Sequence, residues 1–181
     1  MHPIMRAKQQ QQQQQQQQLF IIAMDPEVFR MLVVCTSILV SKMLLTNFYS
    51  AIPSALCGYA PTEDSWIWKS IFGVEQTHGM AAPGTKDKPL QRSKDLVRAQ
   101  RVIMNDLENI PISLIAFWMA GLACEKGESA TQVIWLMQLF TAARLAHTAS
   151  YFMGITLLRT VVFIVGYASV FRAVYLSWSS V

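Results

Sequence analysis

The sequence predicts an all-α integral membrane protein that folds as an up-down four-helix bundle. Three observations point to this class: four separate apolar segments, tight turns between the last three of them, and a shortage of charge. Of the 181 residues, 52% are hydrophobic and only 14% are charged, whereas a soluble domain carries about 25% charged residues. Each apolar segment reaches the ~20 residues that a helix needs to cross ~30 Å of hydrocarbon.

The first segment of the chain is a low-complexity tail. Residues 1–23 contain the glutamine tract Gln9–Gln18, and such tracts are typically disordered in isolation. We expect this tail to be dispensable. Asp25 is a good N-cap and Pro26 suits the first helical position, so the helical domain is predicted to cover residues 24–181.

Four membrane-spanning helices are predicted in this domain, at about residues 28–48, 96–123, 130–152 and 158–178. A loop rich in proline, glycine and charge connects the first two, and tight turns connect the others. Tight turns make consecutive helices antiparallel neighbours. Basic residues concentrate in the long loop and recur at the last turn, and basic flanks favour the cytosolic side. Both of these connections are therefore predicted to be cytosolic.

Composition and motifs exclude several function classes. The formal net charge of +4 comes without a basic patch interleaved with aromatic residues, so no nucleic-acid partner is expected. The three cysteines, Cys35, Cys57 and Cys124, have neither disulfide nor metal-site spacing. No metal is expected, and the motifs of hydrolases, kinases and metalloenzymes are missing from the sequence.

A polar stripe marks the entrance of the second predicted helix. Its members are Arg98, Arg101, Asn105 and Glu108, which fall within roughly 80° of one another at the helical period. A solvated helix end with ordinary ion pairs would explain the stripe. Charged groups near a bilayer, however, usually face a bundle interior or a cavity and bind something there.

A second polar cluster is predicted at the same side of the membrane. Arg144, His147 and Tyr151 lie within about 60° of one face of the third helix, and Arg159 and Thr160 open the fourth. Simpler explanations exist for three of them. His147 could be an interior histidine, Tyr151 an aromatic residue at the membrane interface, and Arg159 an arginine that snorkels to the headgroups. Three helices that bring polar groups to one level favour a common binding site.

The residue types in these clusters define a ligand. Arginines bind carboxylates, bidentately where the geometry allows, and Glu108 suits an ammonium group. Asn105 can pair with an amide in either orientation. A small peptide with two carboxylates, one ammonium group and two amides matches these groups, and glutathione is the obvious cellular candidate.

The motifs resemble a known family. The second helix carries Arg-Val-Ile-Met-Asn-Asp-Leu-Glu-Asn-Ile from Arg101 onwards. It resembles the Arg-x-x-x-Asn-Asp-x-Glu signature of the membrane-associated proteins in eicosanoid and glutathione metabolism. The segments at 143–151 and 159–167 are similar to that family's third and fourth helices. The neutral Met104 just before Asn105 resembles the branch of type 1 microsomal glutathione transferases, whereas the prostaglandin E synthase branch typically has arginine there.

The resemblance implies a homotrimer in the membrane of the endoplasmic reticulum, or also in the mitochondrial outer membrane, with glutathione bound on the cytosolic side. It implies five glutathione contacts: Arg101, Asn105, Glu108, His147 and Tyr151. The polar clusters add Arg98 and Arg144 to this predicted binding set. Arg159 matches the arginine that holds the thiolate, and Thr160 is the neighbouring hydroxyl.

The activity that the resemblance implies is conjugation of glutathione to hydrophobic electrophiles. Reduction of lipid hydroperoxides by the same thiolate is a second expected reaction. Two alternatives stay open. One is a glutathione-dependent isomerase of the prostaglandin E synthase type, and the other is a non-catalytic lipid-binding scaffold of the same family.

Overall fold

The computed structural model describes residues 24–59, 62–76, 94–124 and 127–179, and all regular structure in these ranges is helical. The prediction of an all-α protein is confirmed for this part of the chain. A single 3₁₀ turn, Thr62–Asp64, accompanies five α-helices: α1 Pro26–Leu56, α2 Ser65–Phe72, α3 Lys94–Ala123, α4 Glu128–Met153 and α5 Thr156–Ser179. The predicted tail, residues 1–23, lies outside the described residues.

Helix α1 begins where the sequence predicts. The Asp25 carboxylate accepts a hydrogen bond from the backbone N–H of Glu27 at 2.8 Å, and Pro26 occupies the first turn. The helix then continues eight residues beyond the predicted end at residue 48. Pro53 lies inside it, and one proline removes only one backbone donor, so the helix can pass through it.

The long first connection is not a loop throughout, because α2 lies within it. Gln76 follows α2 and is buried, and its side-chain amide donates to the carbonyl of Ala55 at 2.9 Å. The backbone N–H of Gln76 also donates to the Ser65 hydroxyl at 3.2 Å. These bonds tie the segment around α2 to the end of α1 and satisfy a carbonyl at that helix end.

The four long helices share one apolar core. Its largest fully buried members come from α1, α3 and α4 and include Leu32, Leu39, Phe117 and Met137. Gly121 lets α1 and α3 approach closely, because a Cβ atom there would lie 2.7 Å from Cδ1 of Leu32. Between membrane helices, van der Waals contact at such close approaches stabilises the packing.

Neighbouring helices run in opposite directions. Along α1 and α3, Gly121 approaches Leu32, whereas Asp106 bonds Lys42, so the residue numbers rise on one helix as they fall on the other. Helices α4 and α5 are connected by a turn in which Gly154 adopts the left-handed conformation, with φ of 74°. Only glycine adopts this conformation without a steric penalty.

Two of the described helices, α1 and α5, are long and apolar enough to cross a membrane, judged by length and composition. The sequence predicted four such helices. The middle two differ because α3 carries a charged first half and α4 carries buried polar groups such as Arg144 and His147. Two of these charged residues of α3, Arg101 and Glu108, line the candidate site described below.

Candidate functional site

An open cavity of about 480 Å³ lies between α3 and the end of α4. Four of the predicted site residues line it: Arg101, Asn105 and Glu108 from α3, and Tyr151 from α4. The remaining lining residues are Val97, Gln100 and Met104. The spacing of four and three residues on α3 places its three polar groups on one wall, as the stripe in the sequence predicted.

The cavity wall presents both signs of charge. Arg101 and Glu108 are exposed, and Asn105 between them is half-buried. A guanidinium and a carboxylate stand one helical turn to either side of an amide, so the wall offers a cation, an amide and an anion in sequence. Such a row is complementary to a zwitterionic ligand of small-peptide size.

Arg144 does not line the cavity but lies behind it. Its side chain is buried, and Nη2 donates to the side-chain oxygen of Asn105 and to Oδ1 of Asp106, both at 2.6 Å. Lys42 of α1 bonds the other carboxylate oxygen of Asp106. One buried carboxylate therefore pairs with two buried cations directly beneath the cavity wall.

The sequence predicts Arg144 as a direct binding residue, but the structure places it behind the cavity lining, where only Nη2 bonds Asn105 and Asp106 and Nε has no hydrogen-bond partner among the described residues. Asp106 and Lys42 were not among the predicted site residues. Asp106 lies within the signature, and ionisable residues in membrane helices usually pair with one another. An acidic residue on α3 and a basic residue on α1 were therefore the signal that could have revealed the network.

His147 also lies behind the cavity. It is buried, its ring stands edge-on to Tyr151 with centroids 5.2 Å apart, and it lies 6.0 Å from the ring of Phe163. Its Nδ1 has no hydrogen-bond partner among the described residues. Through these ring contacts, His147 supports the position of Tyr151 on the cavity wall.

Arg159 reaches the cavity edge through an aromatic contact. Its guanidinium lies 4.5 Å from the centroid of the Tyr151 ring, a geometry in which the ring attracts the cation. Arg159 is the fourth residue of α5, so the positive end of that helix lies beside it. Thr160 is exposed, and its hydroxyl donates to the carbonyl of Thr156 at 3.2 Å, so the structure does not bring it to the cavity.

A comparison with models of known protein families identifies the family of this chain. A family model described as the MAPEG family, the membrane-associated proteins in eicosanoid and glutathione metabolism, matches residues 64–177. The chain belongs to the MAPEG family. Comparison with individual curated proteins gave no match.

MAPEG proteins are membrane proteins, and the family includes glutathione transferases, prostaglandin E synthases and leukotriene C4 synthase. Family members generally use glutathione as a substrate or cofactor. The resemblance predicted from the motifs is therefore confirmed at the level of the family. The matched residues include the whole cavity wall and Arg159, while α1 lies outside them.

Arg98 of this MAPEG protein stands apart from the cavity lining. It is half-buried, and its Nη2 atom would lie 3.9 Å from a Cβ atom at Gly154, in the turn between α4 and α5. The predicted stripe is thus divided in the structure. Its first residue lies near that turn, whereas the other three form the wall.

A second cavity borders the same end of α4. It has a volume of about 420 Å³ and is lined by Leu45, Thr46, Tyr49 and Phe152. The rings of Tyr49 and Phe152 meet edge to face, with centroids 5.1 Å apart. Adjacent residues of α4, Tyr151 and Phe152, therefore line a polar cavity and an apolar one.

Proposed function

We propose that this MAPEG protein is a microsomal glutathione transferase of the type 1 branch. It conjugates glutathione to hydrophobic electrophiles and reduces lipid hydroperoxides with the same thiolate. The observation that carries the proposal is the row of Arg101, Asn105 and Glu108 on one cavity wall, with Arg159 stacked on the facing Tyr151.

The wall is complementary to glutathione group by group. Arg101 binds a carboxylate, Glu108 binds the ammonium group, and Asn105 bonds a carboxylate or an amide between them. These three residues supply affinity and orientation. They leave the thiol free to lie toward Tyr151 and Arg159.

Arg159 supplies the chemistry in this proposal. A free thiol has a pKa of about 8.5, and only the thiolate is a good nucleophile. Lowering the thiol pKa by two units takes about 2.7 kcal/mol of preferential stabilisation of the anion. A guanidinium at a helix N-terminus can provide this, because both its charge and the helix dipole favour an anion. Thr160 is the adjacent hydroxyl, and it would have to give up its bond to Thr156 to reach the sulfur.

The apolar cavity lined by Leu45, Tyr49 and Phe152 supports a hydrophobic second substrate. An electrophile that partitions into the bilayer would approach the thiolate from that side of α4. Attack by sulfur on an electrophilic carbon gives the conjugate. With a lipid hydroperoxide, sulfur attacks the peroxide oxygen, which yields the alcohol and a glutathione sulfenic acid that a second glutathione converts to the disulfide and water.

Met104 favours the transferase over the isomerase. It lines the cavity next to Asn105, and the prostaglandin E synthase branch of the family typically carries arginine at this position. The scaffold alternative is disfavoured by the retained Arg159, Asn105 and Glu108. A lipid-binding scaffold has no need of a polar wall or of an arginine beside it.

The assembly belongs to the same proposal. Each subunit is an up-down bundle of four membrane-spanning helices, three subunits form a trimer, and glutathione enters from the cytosol at the membrane of the endoplasmic reticulum. The antiparallel contacts of the long helices support the topology. Large exposed apolar side chains on α4 and α5, among them Trp135 and Ile164, provide surface for lipid and for neighbouring subunits.

Conjugation of an activated aryl halide by the purified protein in detergent tests this function. A transferase forms the conjugate and also oxidises glutathione in the presence of a lipid hydroperoxide. An isomerase forms neither product but converts a prostaglandin endoperoxide. A protein that turns over none of these substrates, although it is folded, would overturn the proposal.

Glu108→Gln is expected to weaken glutathione binding at least tenfold. The substitution keeps the shape but removes the charge that pairs with the ammonium group, and a tenfold change corresponds to about 1.4 kcal/mol. Calorimetric titration measures the effect. Glu128→Gln is the matched control, because Glu128 is an exposed glutamate at the start of α4, away from the cavity. Equal affinity in Glu108→Gln and the wild type would contradict the assigned role.

A further inference from the structure

The side-chain amide of Asn105 lies between the cavity and a buried cation. Asn105 lines the cavity, and on its inner side Nη2 of Arg144 lies 2.6 Å from Oδ1. An asparagine amide has one acceptor end and one donor end. From the sequence, Asn105 could present either end to a ligand.

Arg144 decides which end faces the cavity. A guanidinium has only donors and cannot accept a hydrogen bond, so the amide end that meets Arg144 must be the oxygen. The amide nitrogen of Asn105 therefore lies on the other side. Among the described residues, none accepts a hydrogen bond from that nitrogen, so its two N–H groups are available to a ligand.

The orientation is fixed because Arg144 itself is held. Its Nη2 nitrogen carries two protons, and it lies 2.6 Å from both Oδ1 of Asn105 and Oδ1 of Asp106. Lys42 bonds the second oxygen of Asp106. Because the same nitrogen bonds both oxygens, rotating Arg144 away from Asn105 would also break its pairing with Asp106. All three ionic side chains are buried.

We propose that Arg144, held by Asp106 and Lys42, fixes Asn105 as a hydrogen-bond donor toward the cavity and so selects a ligand group with an acceptor oxygen. Carboxylates and carbonyls are such groups. Arg144, Asp106 and Lys42 are then positioning residues that do not touch the ligand. The inference rests on the proposed function in that glutathione supplies the acceptor.

The polarity of the wall follows from this arrangement. Glu108 one turn further along can only accept hydrogen bonds when ionised, whereas Asn105 is held as a donor. A ligand ammonium group therefore belongs at Glu108, and a carboxylate or carbonyl belongs at Asn105. The network also carries one more positive than negative charge, and this excess favours an anionic group at the neighbouring position.

Two substitutions at position 105 distinguish the donor from the acceptor orientation. Asn105→Ala removes the donor and should weaken glutathione binding about tenfold, the effect typical of a hydrogen bond to a charged group. Asn105→Asp keeps an oxygen for Arg144 but replaces the donor with a second carboxylate oxygen. We expect at least a hundredfold weakening in this variant. Binding by Asn105→Asp as tight as in the wild type, or tighter than in Asn105→Ala, would overturn the inference.

A double-mutant cycle tests the role of Arg144. Arg144→Met leaves Lys42 and Asp106 as a balanced pair, so the variant should fold. It should weaken glutathione binding about tenfold in the wild-type background and less than twofold in the Asn105→Ala background, because the position it supports is then empty. Arg172→Met is the control, since Arg172 is exposed on α5 and should have no effect. Equal losses in both backgrounds would overturn the inference.

The same proteins separate failure of this inference from failure of the proposed function. A wild type that binds no glutathione refutes the function. Thermal unfolding of the wild type, the two single variants and the double variant then decides the positioning without a ligand. Coupling between positions 105 and 144 supports the inference, and additive losses overturn it.

Discussion

Replacing Asp106 with leucine is expected to lower the thermal unfolding midpoint of the detergent-solubilised protein by roughly 6–20 °C. The substitution leaves Lys42 and Arg144 buried without a counter-charge. Removing one partner of a buried ion pair costs about 3–5 kcal/mol, and each kcal/mol shifts the midpoint by about 2–4 °C at this chain length. No other predicted variant should destabilise the fold as strongly.

The control for this prediction removes the whole network. In a triple variant with Asp106→Leu, Lys42→Met and Arg144→Met, no uncompensated charge remains, and apolar replacements of buried ionic clusters are often neutral or stabilising. The thermal unfolding midpoint of the triple variant should return most of the way from that of Asp106→Leu to that of the wild type. The triple variant should still bind glutathione poorly, because Arg144 no longer holds Asn105. An unfolding midpoint of Asp106→Leu close to that of the wild type would contradict the buried network.

Replacing Arg159 with leucine is expected to remove most of the thiolate while leaving much of the glutathione affinity. If Arg159 lowers the thiol pKa from about 8.5 to about 6.5, the thiolate fraction at pH 7 falls roughly 25-fold in the variant. The conjugation rate should fall at least as far. Affinity should persist, because Arg101, Asn105 and Glu108 line the cavity independently of Arg159.

The pH dependence separates this role from a structural one. The variant rate should rise as the pH passes through the free thiol pKa of about 8.5, so its deficit relative to the wild type should shrink near pH 9. Ultraviolet absorbance of the thiolate on addition of glutathione reports the same change directly. Arg172→Leu, on the exposed side of the same helix, is the control. A full thiolate signal in Arg159→Leu would assign the activation to another residue.

Much of this site was predictable because it depends on helical spacing. Arg101, Asn105 and Glu108 recur at intervals of four and three, so any helix through them places them on one wall. Tyr151 and Arg159 were predictable as neighbours because a short turn returns the chain to the same level. The period of the α-helix and the length of a connection are enough to predict both placements.

Other features depend on packing between distant residues, which spacing does not reveal. Arg144 has the same stripe pattern as Tyr151, and only its bonds to Asp106 and Asn105 show that it lies behind the wall. The bond of Tyr167 to Asn109 likewise joins residues 58 positions apart. Helix α1 extends past the predicted end at residue 48 because Pro53 lies inside the helix without ending it, which the length of the apolar segment does not reveal.

Calorimetric titration of the purified wild-type protein with glutathione tests whether this cavity binds it. Saturable binding is expected, at least tenfold weaker in Glu108→Gln and weaker still in Asn105→Asp, with Glu128→Gln unchanged. Glutathione that shows no saturable binding to the folded wild type, or that binds all four proteins equally, would contradict the assignment of this cavity as its site.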